Sequence, residues 1–152
     1  MPVASQQKVM TPGEQQSFYV LGAVEAKSGQ FCGILSEKHR SVEFLGLVDT
    51  MLEVWPDKQL YVVMDNYIIH ESEITNSQLE NNQEKYCRFH RVFLPTYSPW
   101  LNPIERFWRF MRRRLTHDYF FETIHQLKRA AINFFAHFAQ PNEKRRQIFA
   151  FD

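Results

Sequence analysis

The sequence predicts an α/β fold, a mixed sheet covered by helices, and three observations carry that prediction. Ser17–Glu25 (SFYVLGAVE) and Gln30–Leu35 are rich in strand formers and flank a Lys27-Ser28-Gly29 turn, which makes a hairpin. Two later strand-length segments, Gln59–Met64 and Arg88–Leu94, alternate with helical periodicities. The resulting order, β-β-α-β-(α)-β-α-α, is that of a sheet with helices packed on it. In such sheets, sites collect beyond the carboxyl ends of the strands.

Taken in order, residues 1–16 read as a polar entry segment with a Pro12-Gly13 turn and at most a short edge strand around Lys8-Val9-Met10. After the hairpin, Ser41 caps a helix over 42–55, where Leu45, Val48, Leu52 and Trp55 repeat at helical spacing and Pro56 ends it. Gln59–Met64 is a nearly continuous apolar run, as in a strand buried on both faces, and it stops at Asp65. Residues 71–87 are polar and irregular, enough for one short helix and a loop. Arg88–Leu94 is the next strand.

Prolines 95, 99 and 103 then hold Leu94–Asn102 out of the helical region. Asn102 is a preferred N-cap, Pro103 suits the first helical position, and Glu105 stands three after the cap. Ile104, Trp108, Met111 and Leu115 form the buried face of the helix that follows. Phe121, Ile124, Leu127, Ala131, Phe134 and Phe138 mark a last helix near 121–139, closed by Pro141. The tail 140–152 is basic, then apolar. One domain, 1–152, is expected.

Composition narrows the class. The 152 residues allow one real core. Aromatics make up 15%, with 14 Phe, so that core should be aromatic. Cys32 and Cys87 are far apart without CxxC spacing, which gives no disulfide framework or zinc site and suits a reducing cytosol. No run reaches the roughly 20 apolar residues of a membrane span, and the N-terminus lacks a signal-peptide core. A soluble, cytoplasmic protein is expected. Net charge is only +1, with 18 Lys+Arg against 17 Asp+Glu, but Arg106 to Arg114 holds five arginines and no acid.

Chemistry centres on two carboxylates. Asp65, at a strand end and followed by Asn66, either opens a turn or offers a hard ligand to a cation such as Mg²⁺. Glu105 either completes a capping box or serves as a second ligand whose backbone the cap holds still. Arg106, Arg109, Arg112 and Arg113 either form a solvated face or meet an anionic partner. Without interleaved acids they repel one another on a free helix, and Arg pairs with phosphate in bidentate fashion, so a nucleic-acid backbone is the natural partner. His70 is either a surface histidine or a group approaching a phosphate or water at the site. Trp100 is expected to pack the loop, while Tyr97 either packs or stacks on bases.

Two segments, Leu60-Tyr-Val-Val-Met-Asp65-Asn66-Tyr-Ile-Ile-His70 and Phe93-Leu-Pro-Thr-Tyr97-Ser-Pro-Trp-Leu-Asn102-Pro-Ile-Glu105-Arg-Phe-Trp108, resemble the DDE superfamily endonuclease domain of bacterial insertion-sequence transposases related to Tc1/mariner elements. The resemblance implies a ribonuclease-H-like fold and DNA transposition chemistry, with an Asp-Asp-Glu set binding two Mg²⁺ or Mn²⁺ ions. Asp65 matches the second Asp and Glu105 the Glu. The family's first Asp lies on a central strand ahead of the hairpin, and no such Asp is present; Asp49 falls inside a predicted helix. The expectation is therefore an N-terminally truncated domain lacking its first central strand, with exposed strand edges. It would be inactive without the missing Asp, and it would depend on an upstream transposase fragment or on self-association. The alternative is a non-catalytic remnant that binds DNA or full-length transposase. An unrelated divalent-metal phosphotransferase is a third reading. The resemblance implies DNA, the transposon ends, as partner, and a nucleoid-associated location when bound.

Overall fold

A computed structural model describes residues 2–10, 17–117 and 121–142, the first stretch by its backbone alone. The predicted tail therefore lies largely outside the described residues, as do residues 11–16 of the entry segment. The elements are β1 (Pro2–Met10), β2 (Ser17–Glu25), β3 (Phe31–Ser36), α1 (Ser41–Val54), β4 (Leu60–Met64), α2 (Glu73–Asn81), α3 (Gln83–Tyr86), β5 (Phe89–Phe93), α4 (Ile104–Arg112) and α5 (Ile124–Phe138). Short 3₁₀ turns lie at Ile68–His70 and Pro99–Leu101, and one wide π turn extends α4 over Arg113–His117. No described helix is long and apolar enough to cross a membrane.

The five strands form one sheet in the order β3-β2-β1-β4-β5. β1 pairs antiparallel with β2 from Pro2↔Glu25 to Met10↔Ser17 and parallel with β4 at Val3↔Val63. β4 and β5 are parallel, from Leu60↔Phe89 to Met64↔Phe93. This corrects the expectation of a sheet without its middle strand. The middle position is held by residues 2–10, read from sequence as at most an edge strand. Backbone need explains it: without β1, both β2 and β4 would present a row of unpaired amide and carbonyl groups. The strand is concealed in the sequence because Ser5, Gln6, Gln7 and Lys8 interrupt its apolar pattern.

β2 is apolar and buried over Val20–Val24 because helices cover both its faces. Leu21 and Ala23 join Phe44, Leu47, Val48 and Met51 of α1 with Leu60, Val62 and Met64 of β4. Phe18, Val20 and Val24 join Ile104, Phe107, Trp108 and Met111 of α4 with Leu127, Ala131 and Phe138 of α5. Trp108 is fully buried, edge-on to Phe31 at 5.9 Å. Gly22 makes room for this: a Cβ there would stand 2.6 Å from the Phe31 ring and 2.8 Å from Trp108. At the hairpin, Gly29 takes φ 69°, and its amide donates to the Glu25 carbonyl at 2.8 Å.

Local details differ from the sequence reading in three places. The cap of α1 is Arg40, not Ser41: the Glu43 carboxylate accepts from the Arg40 amide at 3.0 Å and pairs with its guanidinium at 2.8 Å. The Ser41 hydroxyl instead meets that of Ser72 at 2.5 Å. Region 71–87 makes two helices rather than one. Ser72 caps the first by accepting from the Thr75 amide. The second holds Asp49 of α1 through Tyr86 Oη at 2.9 Å and Lys85 Nζ at 3.1 Å, so Asp49 is occupied in helix packing.

Candidate functional site

The site is built at the carboxyl ends of β4 and β5, the neighbouring parallel strands. β4 delivers Asp65 one residue past its end. The ladder continues there, with the Leu94 amide donating to the Met64 carbonyl at 2.9 Å. Asn66 Nδ2 then crosses to the Leu94 carbonyl at 2.7 Å, so Asn66 ties the two loops together. Asp65, Asn66 and Tyr67 on one side and Leu94 to Ser98 on the other line a cleft of about 300 Å³.

Asp65 is held by two neighbours. The Tyr67 amide donates to its Oδ1 at 3.2 Å. His70 Nδ1 lies 3.1 Å from the same oxygen and 3.0 Å from the Asp65 carbonyl. Both partners are acceptors, so Nδ1 carries the hydrogen. Burial alone would push the Asp65 carboxyl up, but the His70 hydrogen bond and the Tyr67 amide more than offset it, leaving it below its ordinary value. His70 is 1% exposed and packs on Phe44 at 4.7 Å. The surface reading of His70 therefore fails; it faces Asp65. Its carbonyl accepts from Arg91 Nη1 at 2.7 Å, and the same nitrogen holds Asn76 Oδ1. The next carbonyl, Ile69, accepts from Thr75 Oγ1 at 2.6 Å.

Sequence reasoning missed this clamp, although the Asp65–His70 spacing with apolar Ile68 and Ile69 between them was its signal. It missed the neighbouring His39 as well. That ring stacks on Tyr67 at 5.0 Å, and burial followed by the nearness of His70 holds it below its ordinary value despite Glu43 and Asp65.

Glu105 arrives by the second route. Asn102 is 2% exposed and its Oδ1 accepts from the Ile104 amide, while its carbonyl accepts from the Glu105 amide at 3.1 Å. Pro103 already has helical dihedrals, so Asn102 acts as the cap that the sequence predicted. Glu105 is partly buried in the first turn and is not among the residues lining the Asp65 cleft. Ile104, Phe107, Trp108 and Met111 anchor α4 at 0% exposure, and Leu115 follows at 5%. Arg106, Arg109, Arg112 and Arg113 are all exposed on its outer side. Trp100 was expected to pack the loop; it is 72% exposed, because the buried positions beneath α4 are already filled by Phe107 and Trp108. Tyr97 is 89% exposed.

A two-ion centre needs more donors than this structure gathers. Among the described residues, no three of His, Cys, Asp and Glu converge where they could hold a metal. The central strand β1 carries no acid. Two residues on from its pairing with Val63, where β4 reaches Asp65, the strand places Ser5. The residues present do not complete the set that a pair of divalent ions requires.

Five strands in this order, with helices on both faces, make the ribonuclease-H-like fold of transposase and integrase catalytic domains. The catalytic domain of Mos1 mariner transposase superposes with a TM-score of 0.71 over 97% of this chain and 74% of that chain, at 12% identity. A simian T-cell lymphotropic virus intasome chain gives 0.65 over 85% of this chain and 45% of that one, at 11% identity. The sequence pattern of the DDE superfamily endonuclease family matches residues 3–128, and the chain belongs to that family. It is also 29% identical over 130 residues to the insertion element IS630 uncharacterized 39 kDa protein of Shigella sonnei. That match covers 85% of this chain and spans 37% of the relative's length.

Proposed function

We propose that residues 1–152 form part of the catalytic domain of an insertion-sequence transposase, acting on transposon-end DNA, and that 1–152 alone binds DNA without cutting it. The reading rests on the family match over residues 3–128, with Asp65 one residue past β4 and Glu105 in the first turn of α4, the positions that the resemblance aligns with the family's second Asp and its Glu. Asp65, clamped by His70, and Glu105, fixed by the Asn102 cap, supply two donors to a Mg²⁺- or Mn²⁺-dependent strand-cleavage and strand-transfer site. The ions' chemistry would be to activate a hydroxyl and stabilise the leaving oxygen. With β1 bare of acid, this set is incomplete in the chain itself.

The exposed arginines of α4 supply the DNA contact. Arg106, Arg109, Arg112 and Arg113 are exposed on a helix fixed to the sheet by its opposite face, which presents them together to a phosphate backbone. A second reading, a DNA- or transposase-binding protein without catalytic duty, draws on the same acid-free β1.

The test joins a magnesium-dependent nicking assay to duplex-DNA binding across a salt series. Wild-type 1–152 should bind without nicking. Replacing Arg109 and Arg113 by alanine should lower the salt slope by about one per lost phosphate contact. Robust nicking abolished by Asp65→Ala would overturn the inactivity, and absence of salt-dependent binding would overturn the interface.

A further inference from the structure

The loop between β5 and α4 contains a residue that folding alone does not explain. Tyr97 has φ 60°, the left-handed region, and among the described residues no other non-glycine side chain does. That conformation is costly for a residue with a Cβ, and Tyr lacks the short polar group by which Asn or Asp offsets it locally. Burial does not compensate, because the side chain is 89% exposed. A glycine would satisfy the turn better. Strain of this kind persists where surrounding structure enforces it for a function.

The surroundings do enforce it. Pro95 and Pro99 bracket the tyrosine, the Leu101 amide donates to the Ser98 carbonyl at 3.1 Å, and Asn66 pins the loop's start at Leu94. Three residues on, the Pro99–Leu101 turn presents Trp100 at 72% exposure. Tyr97 itself lines the Asp65 cleft together with Tyr67, Leu94 and Pro95.

The chemistry of the cleft selects its occupant. Asp65 sits in its wall, so without a bound cation a phosphate is repelled there. A nucleobase is neutral and flat and stacks on an aromatic ring without regard to sequence. Its phosphate can meanwhile reach toward the exposed arginines of α4, whose first turns follow Trp100 directly. A paired base inside the duplex has both faces covered by its neighbours, and a terminal one carries its partner base beside it into a cleft of only about 300 Å³, so the base that enters is an unpaired one. We propose that Tyr97, assisted by Trp100, is a stacking platform that holds an unpaired nucleobase of a DNA strand end beside Asp65. The proposal rests on the DNA-binding reading above.

The experiment compares fluorescence anisotropy of 1–152 on a blunt duplex, the same duplex with a short 3′ overhang, and that overhang made abasic. Wild type should prefer the overhang, and the abasic overhang should lose the preference. Tyr97→Gly should weaken overhang binding roughly five- to 150-fold, the range of one base–aromatic stack. It should leave blunt-duplex affinity unchanged, and its melting temperature should hold or rise because glycine accepts the backbone angle. Tyr97→Phe should retain the preference. Blunt and overhang duplexes bound alike by wild type, or an overhang preference that survives Tyr97→Gly, would overturn the platform alone. Failure to bind either DNA would overturn the DNA-binding reading beneath it.

Discussion

Replacing His70 by phenylalanine removes a hydrogen-bond donor while keeping a ring of similar size against Phe44. Nδ1 serves the Asp65 carbonyl at 3.0 Å and the carboxylate at 3.1 Å. A hydrogen bond to a charged acceptor contributes about 1.5–3 kcal/mol. The Asp65 side chain is 38% exposed, so water recovers part of its solvation, and the lower end, about 1.5–2 kcal/mol, applies. No cavity forms, because the ring volume against Phe44 is kept. His70→Ala adds lost packing and a void, for a total of about 3–4 kcal/mol. With urea m-values of about 1–3 kcal/mol per molar, the phenylalanine variant should lose roughly 1 M in unfolding midpoint and the alanine variant more. Amide exchange at Tyr67, whose N–H donates to Asp65 Oδ1, should speed up in both. An unchanged midpoint in His70→Phe together with unchanged Tyr67 exchange would refute the clamp.

Two further outcomes follow from groups that hold the scaffold. Arg88 donates to the carbonyls of Leu52 at 3.0 Å, Trp55 at 2.7 Å and Lys58 at 2.9 Å, satisfying the end of α1; Arg88→Ala should cost about 2–4 kcal/mol in urea unfolding. For Glu25, burial raises the carboxyl but the Ser28 hydroxyl and Lys58 ammonium more than offset it, so its folded value lies below the ordinary 4.5. Its stabilisation is therefore full above that value and lost as pH falls beneath it, and Glu25→Gln should flatten the acid side of a midpoint-against-pH series.

The parts of this molecule that announce themselves locally were legible. β2 ran from Ser17 to Glu25 as its strand formers indicated, and the buried face of α4 contained every residue its spacing selected. Asn102 and Pro103 disclosed the start of α4 because capping is a short-range effect. What depends on partners distant in the chain was not legible. β1 is a strand because β2 and β4 need its backbone, which its Ser-Gln-Gln-Lys run does not disclose. By residue type His70 was either a surface histidine or a group at the site, and only Phe44, distant in the chain, and Asp65, set beside it by the turn, bury it. Trp100 looked like core, and Phe107 and Trp108 had already taken that space.

Under the proposed function, Asp65 and Glu105 belong to a donor set that this chain does not complete. Calorimetric titration of 1–152 with Mn²⁺ tests it most directly, alongside Ser5→Asp, which places a carboxylate where β1 runs level with Asp65. Wild type should show no specific uptake, and Ser5→Asp should show a new site that Asp65→Ala abolishes. Saturable binding of two ions by the wild-type chain, lost on Asp65→Ala, would contradict it.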